Sequence, residues 1–196
     1  YYLDNISYFM CWTFISLGLA VIWGMGGILS FGQTAFFGLA GYGFSVISIN
    51  FLGIAGVSIW SVVLSLIITG IFGMIVGYFL FYGGIYDVFI GIVTLAITLV
   101  LETFMQQTAG PEYAIGSARL NGFNGMQGMP TIGFESLQFG LLEGVTQYYF
   151  ILLLAIIILI SLYKFKQSKI GLVFLASKED RELSLIHISE PTRLTS

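Results

Sequence analysis

The chain has 196 residues, of which 57% are hydrophobic and only 9% are charged, and its formal net charge is −3. A soluble domain carries about 25% charged residues, and a water-soluble core of this size could not bury so much apolar surface. The composition therefore excludes an ordinary soluble domain and indicates a chain embedded in a lipid bilayer, and the small net charge gives no sign of a nucleic-acid partner.

Five apolar stretches, taken in chain order, predict membrane-spanning helices. A hydrocarbon core about 30 Å thick requires roughly 20 mostly apolar residues in a helix, and these stretches lack the polar face of a soluble amphipathic helix. The chain begins at Tyr1 without a basic signal-peptide start, so we expect a further segment upstream. We predict an all-α fold, a polytopic transmembrane helix bundle with glycine-rich packing and about five spans, over residues 6–23, 34–54, 57–81, 86–104 and 147–163.

The joint between the first two stretches interrupts the hydrophobic pattern with polar residues. Ser30, Gln33 and Thr34 lie there, in a glycine-rich run. Irregular backbone at membrane depth is tolerated only where protein buries it or where it lines a wet cavity. We therefore predict that these residues line a polar translocation path. The alternative is an ordinary cytoplasmic turn, with Ser30 as a helix cap.

Glycines recur inside the second and third stretches rather than only in turns. Gly73 and Gly77 form a small-xxx-small pattern, which allows helix backbones to approach closely in a membrane. This pattern favours tight packing in a helix bundle over a direct role in a pore.

Among the five apolar stretches, only the fourth contains acidic residues, Asp87 and Glu102, which lie near its opposite ends. Charge at the centre of a membrane is costly and marks ion or proton pathways. Because both carboxylates lie close to the interfaces, we interpret them as interfacial groups. A proton- or sodium-coupled carrier is therefore disfavoured, and loss of function on neutralising either residue alone would revive it.

Basic residues predict the orientation. Arg119 is the only lysine or arginine in the loop at 105–146. In contrast, a cluster of basic residues follows the fifth stretch: Lys164, Lys166, Lys169, Lys178 and Arg181. Cytoplasmic segments carry the excess of lysine and arginine. We therefore predict that residues 164–182 are cytoplasmic and that residues 105–146 form an extracytoplasmic loop.

Motifs for catalysis are absent from the sequence. It contains no GxxxxGK[ST], HExxH, CxxC or GxSxG pattern. The single Cys11 lies in an apolar stretch and cannot form an internal disulfide. We therefore predict a chain that is not an enzyme and that binds neither a metal nor a cofactor.

The last residues have an unusual sequence. Residues 183–193 read LSLIHISEPTR, which resembles the translation of a common transposase-type sequencing adapter. Our hypothesis is that the natural sequence ends near Glu182 and that residues 183–196 are a non-native tail. The only histidine, His187, lies in this tail, so we assign it no metal or acid–base role.

Three segments resemble one protein family. Residues 17–24 (LGLAVIWG) and 27–38 (GILSFGQTAFFG) are similar to the signature of permease subunits of branched-chain amino acid ABC importers and their urea and short-chain amide relatives. The loop runs TAGPEY and LNGFNGM resemble the same family, in which a soluble binding protein delivers the substrate on this side. The resemblance implies that the loop faces this binding protein, and we predict Glu112, Tyr113, Asn121 and Asn124 as residues of the facing loop. A gate or surface plug built by the same loop is the alternative.

The third segment, at residues 168–180 (SKIGLVFLASKED), is similar to the cytoplasmic coupling segment of ABC permeases, which docks into a groove on the ATPase. A stripe of apolar residues among charges suits helix-in-groove docking. The alternative is a basic juxtamembrane segment that only holds the topology. The predicted coupling residues are Lys169, Gly171, Phe174, Ala176, Lys178 and Glu179.

The resemblance implies a partial ABC permease transmembrane domain at residues 1–182, in a multi-pass protein of the bacterial inner membrane. It implies ATP-driven import of branched-chain amino acids or similar small polar solutes. The implied partners are a second permease subunit, two ABC ATPase subunits that hold the ATP, and an extracytoplasmic solute-binding protein. Two other functions stay open: a passive channel for a small neutral solute such as urea, and a structural membrane subunit.

Overall fold

The computed structural model describes residues 2–85, 88–134, 139–140, 144–173, 175 and 178, and over these it is mostly helical. Small two-stranded antiparallel pairs and a short 3-10 helix lie between the last two long helices. The elements are α1 (Tyr2–Gly26), α2 (Gln33–Asn50), α3 (Val57–Tyr82), α4 (Val88–Gln106), β1 (Ala114–Ile115), β2 (Ala118–Arg119), the 3-10 helix (Gly122–Asn124), β3 (Gly133–Phe134), β4 (Phe139–Gly140) and α5 (Gly144–Gln167).

Among the described residues, α1, α3, α4 and α5 are long and apolar enough to cross a membrane. The predicted all-α membrane bundle is therefore confirmed, with four such spans rather than about five. The predicted second span is a helix, but α2 ends at Asn50 and turns occupy residues 51–56. The polar side chains of Gln33 and Asn50 at its two ends lower its hydropathy. Since α2 packs on α3 and also contacts α1 and α4, protein rather than lipid covers most of it.

The helices define two ends of the bundle. The loop end is where α2 and α4 finish and where α3 and α5 begin, and the basic end is the opposite one, where Lys164 and Lys166 lie in the last turn of α5. Gly24 of α1 and Lys166 of α5 line one groove, so α1 and α5 run parallel toward the basic end. α2 and α3 are antiparallel, with the rings of Phe36 and Phe72 6.0 Å apart.

Glycine and serine residues let α2 and α3 pack closely. An added Cβ at Gly43 of α2 would lie 3.3 Å from the Cβ of Ser65 on α3. The predicted Gly73–Gly77 pattern takes only part in this interface: Gly73 faces the ring of Phe36, and nothing among the described residues lies within 4 Å of a Cβ at Gly77. The buried small residues of the interface are Ser45, Ser48, Ser58, Ser61 and Ser65.

Two of these serines make a matched pair for a stability measurement. The Ser61 hydroxyl is fully buried and has no hydrogen-bond partner among the described residues, whereas Ser58 Oγ donates to Gly133 O at 3.0 Å and accepts from Gly133 N at 3.3 Å. Because an unsatisfied buried hydroxyl carries a desolvation cost, Ser61→Ala should raise the free energy of unfolding by about 1 kcal/mol. Ser58→Ala should lower it by a similar amount. Detergent-denaturant titration of the two variants measures both, and a loss of stability in Ser61→Ala would contradict the prediction.

The described part of the segment after α4, residues 107–134 and 139–140, forms a packed cap on the loop end. The Asn50 side chain donates from Nδ2 to Ile115 O and accepts at Oδ1 from Ser117 N–H, both at 2.8 Å. Ser58 binds Gly133 as described above. Between these anchors, an apolar cluster joins the cap to α2 and α4: Ala118, Leu120 and Met126 pack against Tyr42, Val46, Ile49 and Met105. The described part of the segment predicted as a loop at 105–146 is therefore folded against the helices.

The predicted cytoplasmic segment begins with a capped turn after α5. Ser168 Oγ donates to Phe165 O at 2.7 Å and accepts from Gly171 N–H at 3.1 Å. Residues 169–173 continue as helix. An added Cβ at Gly171 would collide with the carbonyl group of Phe165, so only glycine fits this turn.

Candidate functional site

A helix break separates α1 from α2 over residues 27–32. Phe31 N–H donates to Thr94 Oγ1 at 3.0 Å, and Thr98 Oγ1 lies 3.1 Å from Phe31 O. At 1.5 Å per residue, these threonines lie about 9 Å and about 15 Å along α4 from Val88. Since α4 has 19 residues, the break lies beside the middle of this helix rather than at the end of the bundle.

The backbone of the break is buried against α4. Gly91 allows the approach, because an added Cβ there would lie 3.4 Å from Leu29 O and 3.5 Å from the ring of Phe31. The Thr94 hydroxyl is buried; it accepts from Phe31 and donates back to Ile90 O at 2.8 Å. Unwound backbone is stable at this depth only with such internal partners.

A cavity of about 400 Å³ extends from the break toward the loop end, between α2, α4 and the 3-10 helix. Thr34 and Thr98 lie at its inner end, beside the break, and Gly122 and Phe123 of the cap lie at its outer end. Its lining residues are Thr34, Ala35, Gly38, Leu39, Tyr42, Thr98, Leu101, Glu102, Met105, Gln106, Gly122 and Phe123. The arrangement provides a mostly apolar chamber with polar groups at both ends.

Among the described residues that line the cavity, Glu102 is the only acidic or basic one. Its Oε1 accepts a hydrogen bond of 3.0 Å from Gln106 Nε2, one turn further along α4. The interpretation of Glu102 as an interfacial group used only its position along the helix. That position does not show that the side chain lines a cavity beside Gln106. Asp87 lies outside the described residues.

The three residues predicted to line a path have different positions. Thr34 lines the cavity, but Ser30 and Gln33 do not. Ser30 is buried, and its Oγ accepts from Gly32 N–H at 3.3 Å. The cap residue of α2 is Gly32, without a side-chain hydrogen bond, so Ser30 does not cap that helix.

Sequence reasoning missed the two threonines that hold the break. Thr94 and Thr98 are spaced i, i+4, so they share one face of α4. Two hydroxyls on one face of an otherwise apolar span were the available signal, because hydroxyls in a membrane helix seek partners on neighbouring segments.

The predicted loop residues divide into surface groups and a turn former. Glu112, Tyr113 and Asn124 are exposed on the cap. Asn121 has a positive φ of 63°, and its Nδ2 donates to Gly125 O at 3.1 Å. Asn121 therefore shapes the turn before the 3-10 helix.

The predicted coupling residues lie at the basic end as far as they are described. Lys169 is exposed and Gly171 is buried in the turn after α5. The Lys178 side chain reaches the start of the break, where its Cγ would lie 3.0 Å from an added Cβ at Gly27. The other predicted coupling residues, Phe174, Ala176 and Glu179, lie outside the described residues, as does the tail at 183–196.

Among the described residues, no group of three or more histidine, cysteine, aspartate or glutamate side chains could hold a metal ion. The site consists instead of a buried helix break, a chamber beside it and a cap over the chamber.

Comparison with known proteins supplies the family. A family model described as branched-chain amino acid transport system, permease component, matches residues 1–186, nearly the whole chain. No curated protein and no solved structure matches the chain. The family match agrees with the resemblance of the segments at 17–38 and 168–180, and the four apolar helices fit a multi-pass membrane protein. The chain is a transport subunit that belongs to the permease components of branched-chain amino acid ABC transport systems.

Proposed function

We propose that the chain forms part of the solute pathway of an ATP-driven importer for branched-chain amino acids or similar small polar solutes in the bacterial inner membrane. The observation that carries the proposal is the helix break anchored beside the middle of α4, with a chamber that runs from it to the loop end. Broken helices at membrane depth occur where a polar pathway needs exposed backbone and side-chain groups. The chain itself binds no cofactor in this scheme, and ATP is bound by the partner ATPases.

The proposed assembly contains a second permease subunit, two ABC ATPases and an extracytoplasmic solute-binding protein. The exposed residues of the cap, Glu112, Tyr113 and Asn124, would face the binding protein. The ATPases would dock on the helix at 169–173, where Ile170 and Val173 are 71% and 70% exposed.

A direct contact offers a route from the ATPases to the pathway. Lys178 lies against Gly27, and Gly27 begins the break with a positive φ of 68°. Movement of the segment at 168–178 would therefore displace the first residue of the break. The break is tied to α4 through Phe31, so the displacement would reach the chamber.

Reconstitution of the complete assembly in proteoliposomes tests the proposed function. Uptake of labelled leucine should require both ATP on the ATPase side and the binding protein on the other side. Downhill flux of urea or leucine without ATP would instead support a passive channel. Full uptake by an assembly that lacks this chain would support a structural role, and either result would overturn the proposal.

Ile170→Asp and Val173→Asp should weaken docking of the ATPases without preventing the chain from folding. These exposed side chains lie one turn apart on the helix at 169–173, so a carboxylate at either position would be buried in the proposed groove without a partner. We expect at least about a tenfold loss of ATP-driven uptake and loss of ATPase co-purification, with normal membrane insertion. Ile170→Leu is the control, since an apolar side chain of equal size should retain docking. Normal co-purification of both aspartate variants would place the ATPase elsewhere.

A further inference from the structure

The chamber beside the break combines one carboxylate with an aliphatic wall. Glu102 and Gln106 form its polar side near the loop end, while Leu39, Leu101 and Met105 supply apolar surface. A volume of about 400 Å³ is in the range of sites for small organic ligands. The lining therefore has the composition of a site that orients a small ligand through one polar group and holds the rest by apolar contact.

We propose that this chamber is a solute-binding site within the permease itself, in which Glu102 binds the ammonium group of a small aliphatic amine or amino acid. The inference rests on the proposed function, and it selects among the solutes that the function leaves open. Urea and short amides carry no cation for Glu102, whereas an aliphatic amino acid offers an ammonium group and an apolar side chain to the two sides of the chamber.

The hydrogen bonding of Glu102 leaves room for a ligand. An ionised carboxylate has about four acceptor positions. Among the described residues, one hydrogen bond to it is present, from Gln106 Nε2 at 3.0 Å. The amide of Gln106 thereby orients the carboxylate without neutralising it, since a neutral donor adds no opposing charge.

The described residues provide no cation to pair with Glu102. The chamber lining contains no lysine, arginine or histidine. Charge in a membrane helix is costly and is retained where it faces a pathway or a partner of opposite charge. An ammonium group would supply that charge and form charge-assisted hydrogen bonds, which are about twice as strong as neutral ones.

The position of Glu102 fits a first contact for an entering solute. It lies about 6 Å further toward the loop end than Thr98, which holds the break. Phe123, which is 79% exposed, lines the outer end of the chamber. A solute bound at Glu102 would therefore lie between the cap and the break, on the path that import requires.

Binding of four leucine-sized probes to the membrane-embedded assembly, with the binding protein left out, tests the proposal. Leucine and isopentylamine carry an ammonium group, whereas 4-methylpentanoate and 4-methylpentanamide do not. Wild-type protein should bind the first two at least about tenfold more tightly than the last two. Equal binding of the amide, or no binding of either ammonium probe, would overturn the proposal without any mutation.

Substitutions then locate the effect. Glu102→Gln keeps the size and the hydrogen bond to Gln106 but should remove the preference for ammonium probes, and Glu102→Asp should retain part of it. The double variant Glu102→Gln/Gln107→Glu restores a charge at the same end of α4, but on a face that lines a different groove. It should stay defective. Recovery in the double variant would show that any negative charge at this end of α4 is sufficient, whatever face it lies on. That result would overturn the proposal.

The two proposals fail in different ways. Absence of ATP-driven uptake by the complete assembly, with its binding protein, contradicts the importer function. Normal uptake together with probe binding that ignores Glu102 contradicts only the site. The expected combination is ATP-driven leucine uptake that needs no proton or sodium gradient, falls by about tenfold or more in Glu102→Gln at low leucine concentration and partly recovers at high concentration. Loss of uptake in Glu102→Gln together with dependence of the wild type on an ion gradient would instead support the ion-coupled carrier.

Discussion

The Thr94→Val variant is expected to lose most transport activity, by about tenfold or more, while it still inserts into the membrane. Valine has nearly the shape of threonine but cannot accept the hydrogen bond from Phe31 N–H. That N–H is in the break beside the middle of α4, where an unsatisfied backbone group costs several kcal/mol in a lipid environment. The break should therefore shift or lose its single conformation. ATP-driven uptake and thermal unfolding of the purified assembly measure the two consequences.

Thr69→Val provides the matched control. The Thr69 hydroxyl is buried on α3 and has no partner among the described residues. The same chemical change there removes an unsatisfied group, so it should leave uptake intact and slightly raise the unfolding temperature. Thr98→Val should have a smaller effect than Thr94→Val, because the single Thr98 hydroxyl proton is shared between Phe31 O at 3.1 Å and the nearer Thr94 O at 2.9 Å. Wild-type uptake by Thr94→Val would show that the anchor is dispensable.

The Asn50→Ala variant is expected to release the β1–β2 part of the cap. Asn50 makes three hydrogen bonds of 2.8 Å: to Val46 O in its own helix, to Ile115 O, and from Ser117 N–H. At about 1 kcal/mol for each bond, loss of the two bonds that cross to the cap would weaken docking by about 2 kcal/mol, or about thirtyfold in the docking equilibrium. Because Gly122 and Phe123 of the cap line the outer end of the chamber, we expect faster hydrogen exchange at residues 113–119 and weaker retention of solute.

Ser117→Ala is the control for this variant. It removes a side chain from the same hairpin but keeps the backbone N–H that binds Asn50. Gly116→Ala should instead imitate Asn50→Ala, because Gly116 has a φ of +64° and an added Cβ would collide with the Asn50 side chain. Hydrogen exchange at 113–119 that is unchanged in Asn50→Ala and Gly116→Ala would show that the apolar cluster of Ala118, Leu120 and Met126 alone holds the cap.

Hydropathy predicted the helices well, because any helix that spans the hydrocarbon core needs about 20 apolar residues whatever tertiary contacts it makes. Four of the five predicted spans correspond to helices that can cross a membrane, with ends that differ by a few residues. The exception is α2, whose composition reflects its protein neighbours. The family signature at 27–38 marked the right segment for the break, since the polar interruption is local in sequence.

The depth of the break could not be read from the same residues. A glycine-rich polar joint has the same composition in a surface turn and in a re-entrant segment. What decides between them is the pair of bonds from Phe31 to Thr94 and Thr98, more than sixty positions later in the chain. The sequence also does not show which face of α4 points toward α2. Because α4 is apolar on most sides, its hydrophobic pattern does not reveal that Glu102 lines the chamber.

The sequence also carries a signal for the serine interface. Ser58, Ser61 and Ser65 follow the i, i+3, i+7 spacing of one helix face within an otherwise apolar span. Small residues on one face predict close helix approach as well as glycines do. Gly73 and Gly77, which we predicted as the packing residues, make fewer close contacts among the described residues.

The modest hydropathy of α2 has a consequence for how the protein is made. A helix that begins with Gln33 and ends with Asn50 partitions weakly from the insertion machinery into lipid on its own. α2 makes extensive contact with the more apolar, antiparallel α3. We therefore expect the two helices to enter the bilayer together as a hairpin. Ribosome stalling just after α2 should therefore leave it outside the bilayer, and synthesis of α3 should bring it in.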